Sequence, residues 1–71
     1  MQTLVFNTTS KKITLYSGQK LNGGEILMER ENIPTVKVLD NYYEVYQKDE
    51  LEKNIPILRL GIQSTNMIIQ K

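Results

Sequence analysis

The sequence predicts an all-β domain, a small barrel or compact sandwich of about six or seven short antiparallel strands built from consecutive hairpins. Three observations carry that prediction. Apolar and polar residues alternate in short runs, the runs are separated by clusters of turn-forming residues, and one pattern, Asn-Ile-Pro-x-apolar-basic-apolar, occurs twice. The copies are Asn32-Ile33-Pro34-Thr35-Val36-Lys37-Val38 and Asn54-Ile55-Pro56-Ile57-Leu58-Arg59-Leu60. Proline has no N–H to give to a ladder and pushes the residue before it into an extended conformation, so each copy reads as the entrance to a strand.

At the start of the chain, Leu4 and Phe6, then Ile13 and Leu15, alternate with polar partners on either side of the turn-rich Asn7 to Ser10, which gives a first hairpin. Gly18 to Gly24 supplies the backbone freedom of a loop. Ile26 to Glu31 reads as a strand, because the flanking glycines and Pro34 leave too little length for a stable helix. Asp40-Asn41 is a two-residue turn between Val36–Leu39 and Tyr42–Tyr46, both rich in β-branched or aromatic residues. Lys48 to Lys53 is nearly all charged and lies in water as a loop or a single helical turn. Ser64-Thr65-Asn66 then separates Leu58–Ile62 from Met67–Ile69 as a last hairpin.

A chain of 71 residues is long enough for one domain spanning residues 1–71 and too short for two. A core of this size supplies only about 3–5 kcal/mol, and small domains add disulfides, a metal or oligomerisation. The sequence has no cysteine and no histidine, so disulfides are excluded and a zinc site is disfavoured. Self-association is the remaining common device. Met67-Ile68-Ile69 is apolar on both faces of its strand, which points to the same device, since a small core cannot cover both.

Nine Lys and Arg against eight Asp and Glu leave a formal charge of +1, so no long-range field selects nucleic acid or an anionic membrane. No run approaches the ~20 apolar residues of a membrane span, and Met1 to Phe6 lacks the basic lead and apolar length of a signal peptide. A soluble cytoplasmic or otherwise intracellular protein, with a virion as another place for it, is the expectation. Lys48-Asp49-Glu50-Leu51 spells a retention signal, but that address is read at a C-terminus. Asn7-Thr8-Thr9 matches a glycosylation acceptor without the secretion signal that would make it one.

Catalytic residues are not expected. Nucleophilic catalysis needs a base beside the nucleophile, and neither histidine nor cysteine is present. Glu29, Glu31, Asp40, Glu44, Asp49, Glu50 and Glu52 lack paired spacing and read as solvated carboxylates. Gly18-Gln19-Lys20-Leu21-Asn22-Gly23 has the glycine spacing of a phosphate-binding loop, yet Gly24-Glu25 stands where Lys and Ser or Thr are required. No cofactor and no metal is expected.

Contact residues are the better candidates. Tyr42, Glu44 and Tyr46 share one strand face, which Glu44 marks as the outer one, while Tyr43 and Val45 share the other. Two tyrosines on a rigid strand make a contact platform, or else cover the core edge with their hydroxyls in water. Lys37 and Arg59 hold equivalent places in the two repeats and point away from the core. The expected function is a non-enzymatic interaction module whose partner is itself, as a homo-oligomer, with a larger protein assembly as a second partner, using Tyr42, Tyr46, Lys37, Arg59, Met67 and Ile69. Such a chain suits a small accessory protein of a virus or mobile element, as a virion component or an inhibitor of a host protein. The competing expectation is a small barrel of the OB or SH3 kind, binding single-stranded nucleic acid through Lys37, Arg59 and the tyrosines.

Overall fold

The structure is a computed structural model and describes residues 1–18 and 24–71. Among the described residues seven strands form two sheets, and the all-β expectation is met, with strands the dominant secondary structure and almost no helix. β1 (Gln2–Asn7), β2 (Lys12–Tyr16), β3 (Ile26–Arg30) and β7 (Thr65–Gln70) make one sheet in the order β3-β2-β1-β7. β4 (Thr35–Val38), β5 (Tyr42–Tyr46) and β6 (Leu58–Gly61) make the other in the order β4-β5-β6. Of the two architectures expected, the sandwich is the one found.

The core lies between the sheets. Leu4, Phe6, Ile13 and Leu15 come from the four-stranded sheet, Val45 and Leu60 from the three-stranded one, and Ile33 from the chain that crosses between them. Alternation explains the set: Leu4 pairs with Leu15 and Phe6 with Ile13 on one face, and Tyr43 pairs with Leu60 on the facing sheet.

Turn chemistry fixes the hairpins. The Asn7 carboxamide accepts from the N–H groups of Thr9 and Ser10, both at 2.9 Å, and Lys11 closes the loop at φ 59°. The Leu39 N–H bonds the Tyr42 carbonyl at 2.8 Å, which leaves Asp40-Asn41 as the two-residue turn foreseen. Lys48–Leu51 forms α1, the single helical turn. The Gly18–Gly24 loop falls mostly outside the described residues; its ends are held by Ser17, whose N–H bonds the Glu25 carbonyl and whose Oγ accepts from the Glu25 N–H, both at 2.9 Å. A Cβ on Gly24 would stand 2.5 Å from the Gly18 nitrogen, so only glycine fits there.

The last hairpin is the correction. β6 and β7 do not pair: β6 pairs with β5, and β7 crosses to the other sheet and lies parallel to β1, Leu4 against Met67 and Phe6 against Ile69. Ile62–Ser64 is a 3-10 turn, with the Thr65 N–H bonded to the Ile62 carbonyl, so the expected Ser64–Asn66 turn becomes the start of a strand. The two ends of the chain thus close one sheet, and the strands are not all antiparallel. In this register Met67 lies beside Leu4 and packs against the core cluster.

The repeated motif has one backbone and two environments. Asn32 and Asn54 both adopt the left-handed region, at φ 60° and 57°, which Asn tolerates better than other residues with a Cβ. Ile33 is fully buried, with its N–H on the Lys11 carbonyl at 2.9 Å, whereas Ile55 is 54% exposed beside α1.

Candidate functional site

The residues singled out on β4, β5 and β6 come together on the outer face of the three-stranded sheet. The register sets Lys37 opposite Glu44 and Glu44 opposite Arg59, so the two basic residues flank one carboxylate on adjacent strands. They share a face as expected, with Glu44 between them.

Glu44 is not the solvated carboxylate expected: it is 7% exposed. Its Oε2 accepts from Arg59, Nε at 3.1 Å and the terminal nitrogen at 3.0 Å, and its Oε1 accepts the Tyr46 hydroxyl at 2.9 Å. Nor is Tyr46 a surface tyrosine; it is 2% exposed. The Lys37 ammonium stands 4.6 Å from the centre of its ring, and Asn54 Oδ1 lies 3.5 Å from its hydroxyl and 3.4 Å from Lys37 Nζ. Arg59 and Lys37, from the two neighbouring strands, thus cover Glu44 and the Tyr46 ring with their charged ends. The second repeat's asparagine, turned by its left-handed backbone, pins the segment after α1 onto the first repeat's lysine.

Removal from water raises the Tyr46 pKa above its ordinary value, and the hydrogen bond to Glu44 and that carboxylate's charge act in the same direction, with Arg59 opposing. A raised folded-state pKa favours the neutral phenol. Its contribution to stability is therefore complete below the unfolded tyrosine's pKa near ~10 and is lost as pH rises through the folded value. Alkaline titration followed by phenolate absorbance is expected to show one late-ionising tyrosine, whose signal appears with unfolding and is missing in Tyr46→Phe. Ionisation of all four tyrosines with no late component would contradict the burial.

Tyr42 is the exposed member of the face, at 45%, with the Arg59 guanidinium 5.5 Å from its ring centre. Arg59 keeps 57% of its side chain in water. Glu44 fixes that guanidinium from beneath, so Arg59 and Tyr42 form a pre-oriented cation–π pair at the surface. Tyr42 borders a groove of about 440 Å³ lined also by Asn41, Gly61, Gln63 and Ser64. Val38 and Leu39, 68% and 44% exposed, sit just across the Asp40-Asn41 turn from it. Sequence reasoning did not single out these two; Val38 lies opposite Tyr43 on the core side of β4, but at the end of an edge strand the core does not reach it.

Met67 and Ile69 are separated by the structure. Both lie on the core side of β7, but Met67 packs against the core cluster while Ile69 is 55% exposed. Among the described residues, no group of three or more His, Cys, Asp or Glu is placed to hold a metal, and no helix is long and apolar enough to cross a membrane. No protein-family model, no curated protein and no solved structure matches this chain.

Proposed function

We propose that this protein is a non-enzymatic protein–protein interaction module, a structural or accessory component that associates with itself and presents the β4–β5 turn to a larger assembly. The observation that supports this reading is the exposed apolar set. Among the described residues, eight large hydrophobic side chains are 44–68% exposed, against nine buried hydrophobic residues. Scattered exposed hydrophobics are ordinary, but Leu39 and Tyr42 flank one tight turn, with Arg59 on the Tyr42 ring and the exposed Val38 beside them on the opposite face of the sheet. Aromatic and arginine side chains held rigidly at a surface are what interface centres are made of.

Solution mass by light scattering, over a concentration series at low and high salt, tests self-association. The expected result is one oligomeric mass that salt does not change, because apolar and main-chain contacts are not screened. A monomer under every condition removes the self-association half of the proposal.

A second reading, single-stranded nucleic acid on the same face, is favoured by the Arg59–Tyr42 pair together with Lys37. Bases stack on aromatic side chains, and phosphate contacts make such binding weaken steeply with salt. Lys37→Gln with Tyr42→Ala is the suitable variant, because Arg59 cannot be replaced without stranding the Glu44 carboxylate. Salt-sensitive oligonucleotide binding lost in that variant supports this reading; no binding at low salt rejects it.

A further inference from the structure

Four strands lie at sheet edges, and they are not equally protected. An edge strand is a template for pairing, and proteins guard it with charge, proline, a bulge or shortness. β3 carries Glu29 and Arg30 and has an irregular register with β2, where Tyr16 pairs with Ile26 while Leu15 pairs with Met28. β4 and β6 have four residues each, carry Lys37 and Arg59, and follow Pro34 and Pro56. β7 has none of these. It is six residues long, Thr-Asn-Met-Ile-Ile-Gln, without charge or proline, and its register with β1 is unbroken.

The direction of its main-chain groups follows from one hydrogen bond. The Thr8 N–H bonds the Gln70 carbonyl at 2.8 Å, so Gln70 directs its main chain toward β1. Main-chain direction alternates along a strand, so Asn66 and Ile68 also direct theirs to β1, while Thr65, Met67 and Ile69 direct theirs to the open side. The Thr65 N–H is already held by the Ile62 carbonyl. Met67 and Ile69 are left as the residues whose N–H and C=O both point outward, toward a side where β7 has no strand neighbour among the described residues.

We infer that β7 pairs antiparallel with β7 of a second copy about a two-fold axis at Ile68, joining two four-stranded sheets into one continuous sheet. The inference rests on the self-association half of the proposed function and names its contact. Register follows from geometry. To keep the core sides of both copies on one side of the joint sheet, residues of like parity must face each other. Met67 opposite Ile69 of the partner subunit satisfies this, and each such pair exchanges two main-chain hydrogen bonds, which uses the outward groups of both residues. Ile68 then faces its own counterpart as a non-hydrogen-bonded pair. Shifting to Met67 on its counterpart would set Ile69 against the already bonded Thr65 N–H. Shifting to Ile69 on its counterpart would set Met67 against the charged Lys71, which lies outside β7. In the favoured register the exposed Ile69 is covered by Met67 of the partner subunit, and the contact is isologous.

The chain has no cysteine, so Ile68→Cys introduces a single thiol at the axis, where facing Cβ atoms of a non-hydrogen-bonded pair stand about 4.5–5.5 Å apart, within small adjustment of a disulfide. Under mild oxidation this variant is expected to form a covalent dimer, while Ile26→Cys, on the β3 edge and 54% exposed, does not. Ile69→Pro removes an outward N–H and leaves the β1 ladder intact, so it is expected to keep the strand signature in circular dichroism and lose the dimer mass. Should that variant not fold, the cysteine pair decides alone. An oligomeric parent whose Ile68→Cys links no better than Ile26→Cys, or whose folded Ile69→Pro keeps the parent mass, overturns the edge pairing and leaves self-association standing. A parent that is monomeric at every concentration overturns both.

Discussion

Ile33→Ala is expected to cost about 2–5 kcal/mol, while Ile55→Ala, the same substitution at the same place in the repeat, is expected to stay within about 0.5 kcal/mol. Both isoleucines follow a left-handed asparagine and precede a proline, so local conformation is matched. Only the surroundings differ: Ile33 is fully buried among Leu4, Phe6, Ile13, Leu15, Val45 and Leu60, and Ile55 is 54% exposed. Truncating Ile33 loses the transfer free energy of its side chain and leaves a cavity where the chain crosses between sheets. A domain of this size has about 3–5 kcal/mol in total, so Ile33→Ala is expected to be largely unfolded at room temperature. Urea denaturation of the two variants checks this. Equal effects would mean that the repeat's backbone, and not the burial of its first isoleucine, sets the stability.

That contrast also marks how far the sequence reaches. Strands read from alternation alone, Leu4 with Phe6, Ile13 with Leu15, and Tyr43 with Val45, point their apolar residues to the core as expected. The two tight turns follow from Asn7 and from Asp40-Asn41. Pairing across the chain was not legible, because a strand's periodicity says which face is apolar and nothing of which strand lies beside it. Met67 and Ile69 therefore looked like half of a hairpin and proved to lie along β1. A face assigned by polarity can also be roofed. Glu44 correctly marks the outer side of β5, but Arg59 binds it from one neighbouring strand and Lys37 stands over the Tyr46 ring from the other, and both Glu44 and Tyr46 are buried. The repeat did carry a signal for this in its asparagines. Asn before Ile-Pro is a residue suited to the left-handed region, and Asn54 in that conformation meets both Lys37 and Tyr46.

Arg59→Met is expected to destabilise the protein by about 1–3 kcal/mol, and the loss is expected to shrink to a few tenths in a Glu44→Gln background. Two limits bracket the magnitude. An exposed ion pair contributes roughly 0–1 kcal/mol, and breaking a buried one costs roughly 3–5. This pair lies between them, since the Glu44 side chain is 9% exposed and that of Arg59 57%. Methionine keeps most of the arginine stem over the sheet, so the change isolates the guanidinium. What remains in Arg59→Met is a largely buried carboxylate that keeps the Tyr46 hydroxyl but has lost its guanidinium. Glu44→Gln removes that charge and retains an oxygen for the hydroxyl, which is why the two substitutions should not add. A coupling of about 1–2 kcal/mol between them would identify Arg59 as the group that makes Glu44 tolerable in this site; additivity within about 0.5 kcal/mol would show that the carboxylate is stable there without it. The same cycle bears on the surface pair, because a guanidinium held by Glu44 is what keeps Arg59 over the ring of Tyr42. In Glu44→Gln, Arg59 loses that anchor, and any partner contact that depends on the Arg59–Tyr42 pair should weaken although neither residue has changed.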